Sequence, residues 1–278
     1  MAHAVTLPGP ADFCAWREAA RRLLGAQVPP AQAEWRIEGE AGSLFADAPP
    51  PPGSAPAATV PRAFLALAEV AIRHRDPERF ALLYGLQWRL THGTPALLRH
   101  ATDPAVLRAE ALAKAVRRDA HKMHAFLRFR EVETHSGPHH LAWFEPDHYI
   151  EEAEASFFLR RFAALRWTIV TPRVTSVWDG EALAFGPGGR RAELPADDST
   201  AALWNTYFGA IFNPARLKPG AMRAEMPKKY WRNLPEAAEI PRLMAEAPAR
   251  VAAMVARGGT APNPRPQQPR HLTPKPAP

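Results

Sequence analysis

Two groups of residues have the types and spacing for chemistry. His121 and His124 stand three apart in a segment with helical periodicity, so both rings leave the helix in similar directions. Glu145, Asp147 and His148 form a second group, carboxylate and imidazole together, at the end of a predicted strand. Imidazole and carboxylate side chains ligate divalent metals or move protons, so His121, His124, Glu145 and His148 are the candidate catalytic residues. If the strand that follows the histidine helix pairs with the strand that ends at Glu145, the two groups lie at the same end of a sheet. The spacing is not that of H-E-x-x-H, and the plainer reading is a set of hydrogen-bonded histidines in a partly buried polar layer. No metal and no cofactor is assigned. The chain lacks a G-x-G-x-x-G after a strand, a P-loop and a G-x-S-x-G elbow, and Gly186-Pro-Gly-Gly189 reads as an exit loop. Cys14, beside Phe13 and Trp16 on an amphipathic segment, reads as a small buried thiol rather than a nucleophile.

A second chemistry is available to the cations. From Leu107 to Arg130, seven Lys and Arg residues meet only Glu110 and Asp119, a local excess of +5. On a helical wheel, Leu112, Val116, Ala120 and Met123 share one side, and Lys114, Arg117, Arg118 and His121 share the other. Between Ile211 and Pro235, six cations face Glu225 alone, again +5. There Lys228 and Lys229 adjoin Tyr230, Trp231 and Arg232, a mixture of charge for phosphates and ring faces for bases. The two segments together exceed the +7 of the whole 278-residue chain, so the charge is concentrated rather than diffuse. The alternative for the helix is an ordinary solvated face, and for Tyr230 and Trp231 a place in the core.

The elements that must position these residues follow from periodicity and punctuation. Helices are predicted from Pro10 to Leu24 with Asp12 as N-cap, from Pro61 to Arg75, after Asp76-Pro77, after Thr94-Pro95, and from Asp103 to about Ala125. Glu34 to Ile37 reads as a short strand, and the Pro-rich stretch Ala48 to Pro61 as a linker. At Phe126 the period changes to two. Strands 126–134 and 140–145, a helix 147–164, and strands 166–171, 174–179 and 181–185 give the order β-β-α-β-β-β. A helix from Asp198 to Phe212 and another from Pro241 to about Ala256 complete the chain. The expected fold is therefore α+β: an N-terminal helical layer, a central, mainly antiparallel sheet with helices on one face, and C-terminal helices. In domain terms this is one unit, 1–257, with a helical region over 1–125, a sheet region over 126–190 and helices over 191–257. Residues 258–278, with seven prolines and three cations, form a basic tail expected to be disordered.

Composition sets the outer limits. One cysteine excludes an internal disulfide and a Cys-rich zinc or iron–sulfur site, which fits a reducing, cytoplasmic setting. The first 13 residues have neither a basic start nor an apolar run, so no signal peptide is expected. No apolar run approaches the roughly 18 residues of a membrane span, so no membrane partner is expected.

Three stretches carry a resemblance. Arg117-Arg-Asp-Ala-His-Lys-Met-His-Ala-Phe-Leu-Arg-Phe-Arg130, Ala142-Trp-Phe-Glu-Pro-Asp-His148 and Glu225-Met-Pro-Lys-Lys-Tyr-Trp-Arg-Asn-Leu-Pro-Glu236 resemble a bacterial family of unknown biochemical activity, described as DNA metabolism or DNA repair proteins. Its members occur alone beside a radical-SAM protein related to spore photoproduct lyase, or fused ahead of a UdgX-type uracil-DNA glycosylase-like domain. The resemblance spans roughly Leu7 to Val255, and Arg75-Asp-Pro-Glu-Arg-Phe80 and Asn213-Pro-Ala-Arg-Leu-Lys218 look most like the fused branch. The chain has no G-E-x-P-G segment, no H-P-S segment and no cluster cysteines, so uracil excision is not carried over. The resemblance implies a DNA-repair context, and joined to the two basic segments it gives a cytoplasmic DNA-repair accessory protein that binds DNA, or a glycosylase or radical-SAM partner. Its nucleic-acid-binding residues would be Lys114, Arg117, Arg118, His121, Lys228, Lys229, Tyr230, Trp231 and Arg232. The alternatives are a metal-dependent or acid–base enzyme acting on damaged bases or DNA ends, and a pure interaction scaffold.

Overall fold

The helix starts are set by side-chain caps at the acids the sequence marks. A computed structural model of the chain describes residues 2–39, 59–134, 137–193, 226–231, 233–234, 237 and 239–256. Asp12 accepts the Ala15 N–H and opens α1 (Phe13–Gly25). Asp103 accepts from Ala105 and Val106, ahead of Pro104, and opens the long α4 (Pro104–Phe126). Arg89 grips the same Asp103 through two bonds, at 2.6 and 3.1 Å. Between these helices lie α2 (Arg62–Ala71) and α3 (Arg79–Thr91). The Thr94-Pro95 start yields only a single 3-10 turn, Leu97–Arg99.

The chain divides into two compact units, 1–200 and 201–278. In the first, the helical layer is held by the apolar stripes of α1 to α4. Trp16, Leu23, Phe64, Ile72, Phe80, Leu83, Leu86, Val106 and Ala113 are among its buried residues. A strand the periodicity did not announce, β1 (His3–Leu7), pairs in parallel with β2 (Ala33–Ile37) across α1, burying Val5 and Leu7.

The second layer is a five-stranded sheet in the order β3 (Phe129–Thr134), β4 (Gly137–Trp143), β5 (Trp167–Val170), β6 (Val174–Trp178) and β7 (Leu183–Pro187). Every pair is antiparallel except β4 with β5, which α5 (Glu151–Arg161) connects as a crossover. The expected β-β-α-β-β-β order and α+β class hold. Phe158 of α5 packs on Phe129 and Phe162, and Trp167 is fully buried beneath this group. The turn at Asp179-Gly180 forms as expected: Gly180 has φ +104°, and Asp179 accepts from Glu181 and Ala182.

Two further expectations need correction. Cys14 is exposed, because it stands on the solvent side of α1 while Trp16, Ala19, Ala20 and Leu23 turn inward. The helix after β4 starts at Glu151 rather than Asp147, because the intervening backbone is bonded to other elements, as described below.

In the unit 201–278, the described helices are α6 (Lys228–Trp231) and α7 (Ile240–Ala256), which buries Ile240, Leu243 and Ala247. The predicted helix 198–212, the cations Arg216, Lys218 and Arg223, Arg232, and the tail 258–278 lie outside the described residues. Among the described residues no helix is long and apolar enough to cross a membrane.

Candidate functional site

The segment Glu145-Pro-Asp-His-Tyr149, between β4 and α5, is where the helical layer and the sheet meet. Its backbone bonds to three other parts of the fold. The His148 N–H donates to Asp119 Oδ2 of α4 at 2.9 Å, and the Tyr149 N–H donates to the Arg73 carbonyl at the α2–α3 corner at 2.8 Å. From the β5–β6 turn, the Arg173 guanidinium donates to the carbonyls of Pro146 and His148. It also donates to Glu151 Oε1 at 2.8 Å, a carboxylate only 4% exposed. Two guanidinium groups lie over the Tyr149 ring, with Arg79 5.2 Å and Arg173 5.0 Å from its centroid. Arg79 itself is 2% exposed and is satisfied by the carbonyls of Ile72, Asp76 and Pro10.

At the centre are two imidazoles in contact, their planes tilted by 32°. His74 and His148 have ring centroids 4.2 Å apart. His74 Nδ1 accepts the Asp76 N–H at 2.9 Å, and His148 Nδ1 accepts the Arg75 N–H at 3.3 Å. A ring nitrogen that accepts a hydrogen bond carries no proton, so each Nδ1 is unprotonated and the neutral form places its hydrogen on Nε2. Burial lowers the His74 pKa, and the positive charges of Arg75, Arg79 and Arg108 add to that against the opposing pull of Asp76. Burial works to raise the Asp76 carboxyl, but the Arg108 hydrogen bond at 2.8 Å and the Glu78 N–H hold it below its ordinary value.

The other sequence candidates are not gathered at one point. His124 Nε2 bonds Glu154 Oε2 of α5 at 2.7 Å, and its ring stacks on Phe157 at 3.7 Å. Glu145 accepts the Trp143 indole N–H at 3.0 Å, and His121 is exposed on α4. Among the described residues no group of three or more His, Cys, Asp or Glu side chains has the arrangement of a metal site. Sequence reading found His148 but missed His74, Asp119, Arg79, Glu151 and Arg173. Their only signal was adjacency: Asp119 and the Arg75–Phe80 stretch lie inside the motifs that carry the resemblance.

The cations sort by environment. Arg108 is paired with Asp76 and Glu78, Lys122 is 4% exposed with its ammonium 5.6 Å from the Phe126 ring, and Arg128 donates to the carbonyls of Ala125 and Leu127. Lys114, Arg117, Arg118 and His121 are exposed together on one side of α4. In α6, Lys228 and Lys229 are exposed, and the Lys229 ammonium lies 4.7 Å from the Tyr230 ring. Tyr230 is 3% exposed, which closes its ring to a stacking base, and Trp231 is half-buried with its indole N–H on the Met226 carbonyl.

Fold and site define a mixed α+β protein whose two layers are joined by a buried His, Asp and Arg network. Residues 77–236, more than half of the chain, match a domain of unknown function, DUF4130, and the chain belongs to that family. No curated protein and no solved structure matches it.

Proposed function

We propose that this chain is a cytoplasmic accessory protein of DNA repair or DNA metabolism that binds DNA, or a DNA-processing partner, through its basic surfaces. The observation that carries the reading is the exposed row Lys114, Arg117, Arg118 and His121 on a helix whose opposite side is buried. Four such groups on a rigid element form a phosphate-binding surface. Exposed Lys228 and Lys229 supply two more cations within their own unit. The family resemblance supports the DNA context and suggests the partner, a UdgX-type glycosylase or a radical-SAM repair protein.

Binding to DNA over a salt series tests the reading. With about five phosphates neutralised, the logarithm of affinity falls with the logarithm of salt at a slope near −4.5. A flat response, or no binding at low salt, overturns it.

A second reading is an acid–base enzyme acting on damaged nucleobases or DNA ends, and the adjacent His74 and His148 pair supports it. In the neutral tautomer both rings carry their hydrogen on Nε2, the form in which an imidazole donates a hydrogen bond to developing negative charge. Product formation from damaged DNA that disappears in His74→Asn and persists in Lys114→Gln would favour this reading over the binder.

A further inference from the structure

The α4 stripe has a shape as well as a charge, and from both we infer that its ligand is the phosphate backbone of a DNA duplex, held without regard to sequence. The inference rests on the nucleic-acid reading and goes further by naming the form of the ligand. Buried Val106, Ala109, Leu112, Ala113, Val116, Asp119, Lys122 and Met123 occupy about 200° of the helical wheel at 100° per residue. More than half of the helix is thus sunk in its own unit. The helix carries no Asn, Gln, Ser or Thr, so direct readout of base edges would fall to its Lys and Arg residues and few acids alone. What reaches outward includes the long side chains of Lys114 and Arg117, whose natural target at the duplex surface is phosphate.

The stripe also lacks what a single strand needs. No Phe, Tyr or Trp is exposed on α4, since Phe126 is half-buried, and stacking on such rings is the usual source of single-strand affinity. Lys114, Arg117 and His121 stand three and four residues apart on one exposed side of the helix, which spaces them by about 5–6 Å over about 10 Å. A duplex offers one negative charge per about 1.7 Å of axis on a stiff frame, so a short, fixed row of cations gains most from that dense array. Exposed Glu110, one turn before Lys114, sets the N-terminal limit of the footprint by repelling phosphate. The contact is small, and affinity near the non-specific range of about 10⁻⁴ to 10⁻⁶ M at physiological salt is expected.

The test uses the full chain with two unrelated duplexes of about 20 base pairs and one single strand of equal length, followed by fluorescence anisotropy across a salt series. The expected result is affinity for the two duplexes within about twofold of each other and at least about fivefold tighter than for the single strand. In the double variant Lys114→Gln/Arg117→Gln, whose sites are exposed and whose fold is checked by circular dichroism, the salt slope falls by about two. Tighter binding of the single strand, or a strong preference between duplexes, overturns the inference while leaving the nucleic-acid reading intact. An unchanged slope in the variant removes the stripe from the contact. Absence of binding to all three at low salt overturns both the inference and the reading beneath it.

Discussion

The buried carboxylate of Asp119 on α4 accepts the backbone N–H of His148 at 2.9 Å, and so fastens the helical layer to the loop that leaves the sheet. Both residues belong to motifs the sequence holds 29 positions apart. Replacing Asp119 by Ala strands that N–H in a place water does not reach, at a cost of about 1–3 kcal/mol, whereas Asp119→Asn keeps an acceptor oxygen and costs less. Urea unfolding measures both. Equal midpoints for wild type and Asp119→Ala would show that the bond does not hold the layers together.

The imidazole pair predicts a pH dependence. Folded His74 titrates below the 6.5 of the unfolded chain, chiefly because it is buried. Below about pH 6.5 the unfolded state therefore binds more protons, and stability, complete above that value, falls as the pH drops through the folded pKa. Protonation of His74 at Nδ1 also breaks its bond from the Asp76 N–H, and the His148 ring lies against the same ring, 4.2 Å away. His139, lowered mainly by burial and next to Arg166, contributes a slope of the same sign from the sheet. Melting temperature measured from about pH 8 to pH 5 should decline on the acid side. In His74→Asn, whose amide oxygen can replace Nδ1 as acceptor, the decline should be shallower, with the His139 share left. An identical decline in the variant would assign the effect elsewhere.

Periodicity carried most of the fold because it reports burial directly. The alternation after Phe126, the caps Asp12 and Asp103 and the Asp179-Gly180 turn are local signals, and each element stands where they put it. β1 escaped because five residues without turn signals on both sides are too short a pattern, and its partner β2 lies 30 residues away. The site was half legible for the same reason. His148 was visible as a residue type, but His74, Asp119 and Arg173 meet it only through long-range packing. Cys14 was misread because a small residue beside two aromatics says little about which side of a helix it faces.

The Arg173 and Glu151 pair predicts an asymmetry between two substitutions. Glu151 is 4% exposed and accepts from Arg173, with Thr171 Oγ1 also directed to it. Arg173→Ala leaves a buried carboxylate without its cation and two loop carbonyls without their donor, for a loss of about 3 kcal/mol, moderated because the Arg173 side chain is 35% exposed. Glu151→Gln keeps an acceptor of the same size and removes the buried charge, so its loss is the smaller one. Denaturant midpoints of the two variants decide the matter, and a larger loss in Glu151→Gln would contradict the assignment.

Gly188 gives the strictest steric prediction. Its N–H donates to the Arg173 carbonyl at 3.0 Å and that of Gly189 to the Thr171 carbonyl at 3.0 Å, which clamps the end of β7 onto the turn that carries Arg173. A Cβ at position 188 would lie 2.4 Å from the carbonyl carbon and oxygen of Pro172 and 2.5 Å from the Arg173 nitrogen. Those are backbone atoms, which cannot swing aside as a side-chain tip does. Gly188→Ala must therefore displace the turn, at about 1–3 kcal/mol, and with it the guanidinium that holds the His148 carbonyl. Gly186→Ala, where nothing stands within 4 Å, is the matched control and should melt within about a degree of wild type. A combined reading of melting temperature and amide chemical shifts around His148 checks both links. Loss of stability without shifts near His148 would break the chain from glycine to site, and equal melting of the two variants would break it at its first step.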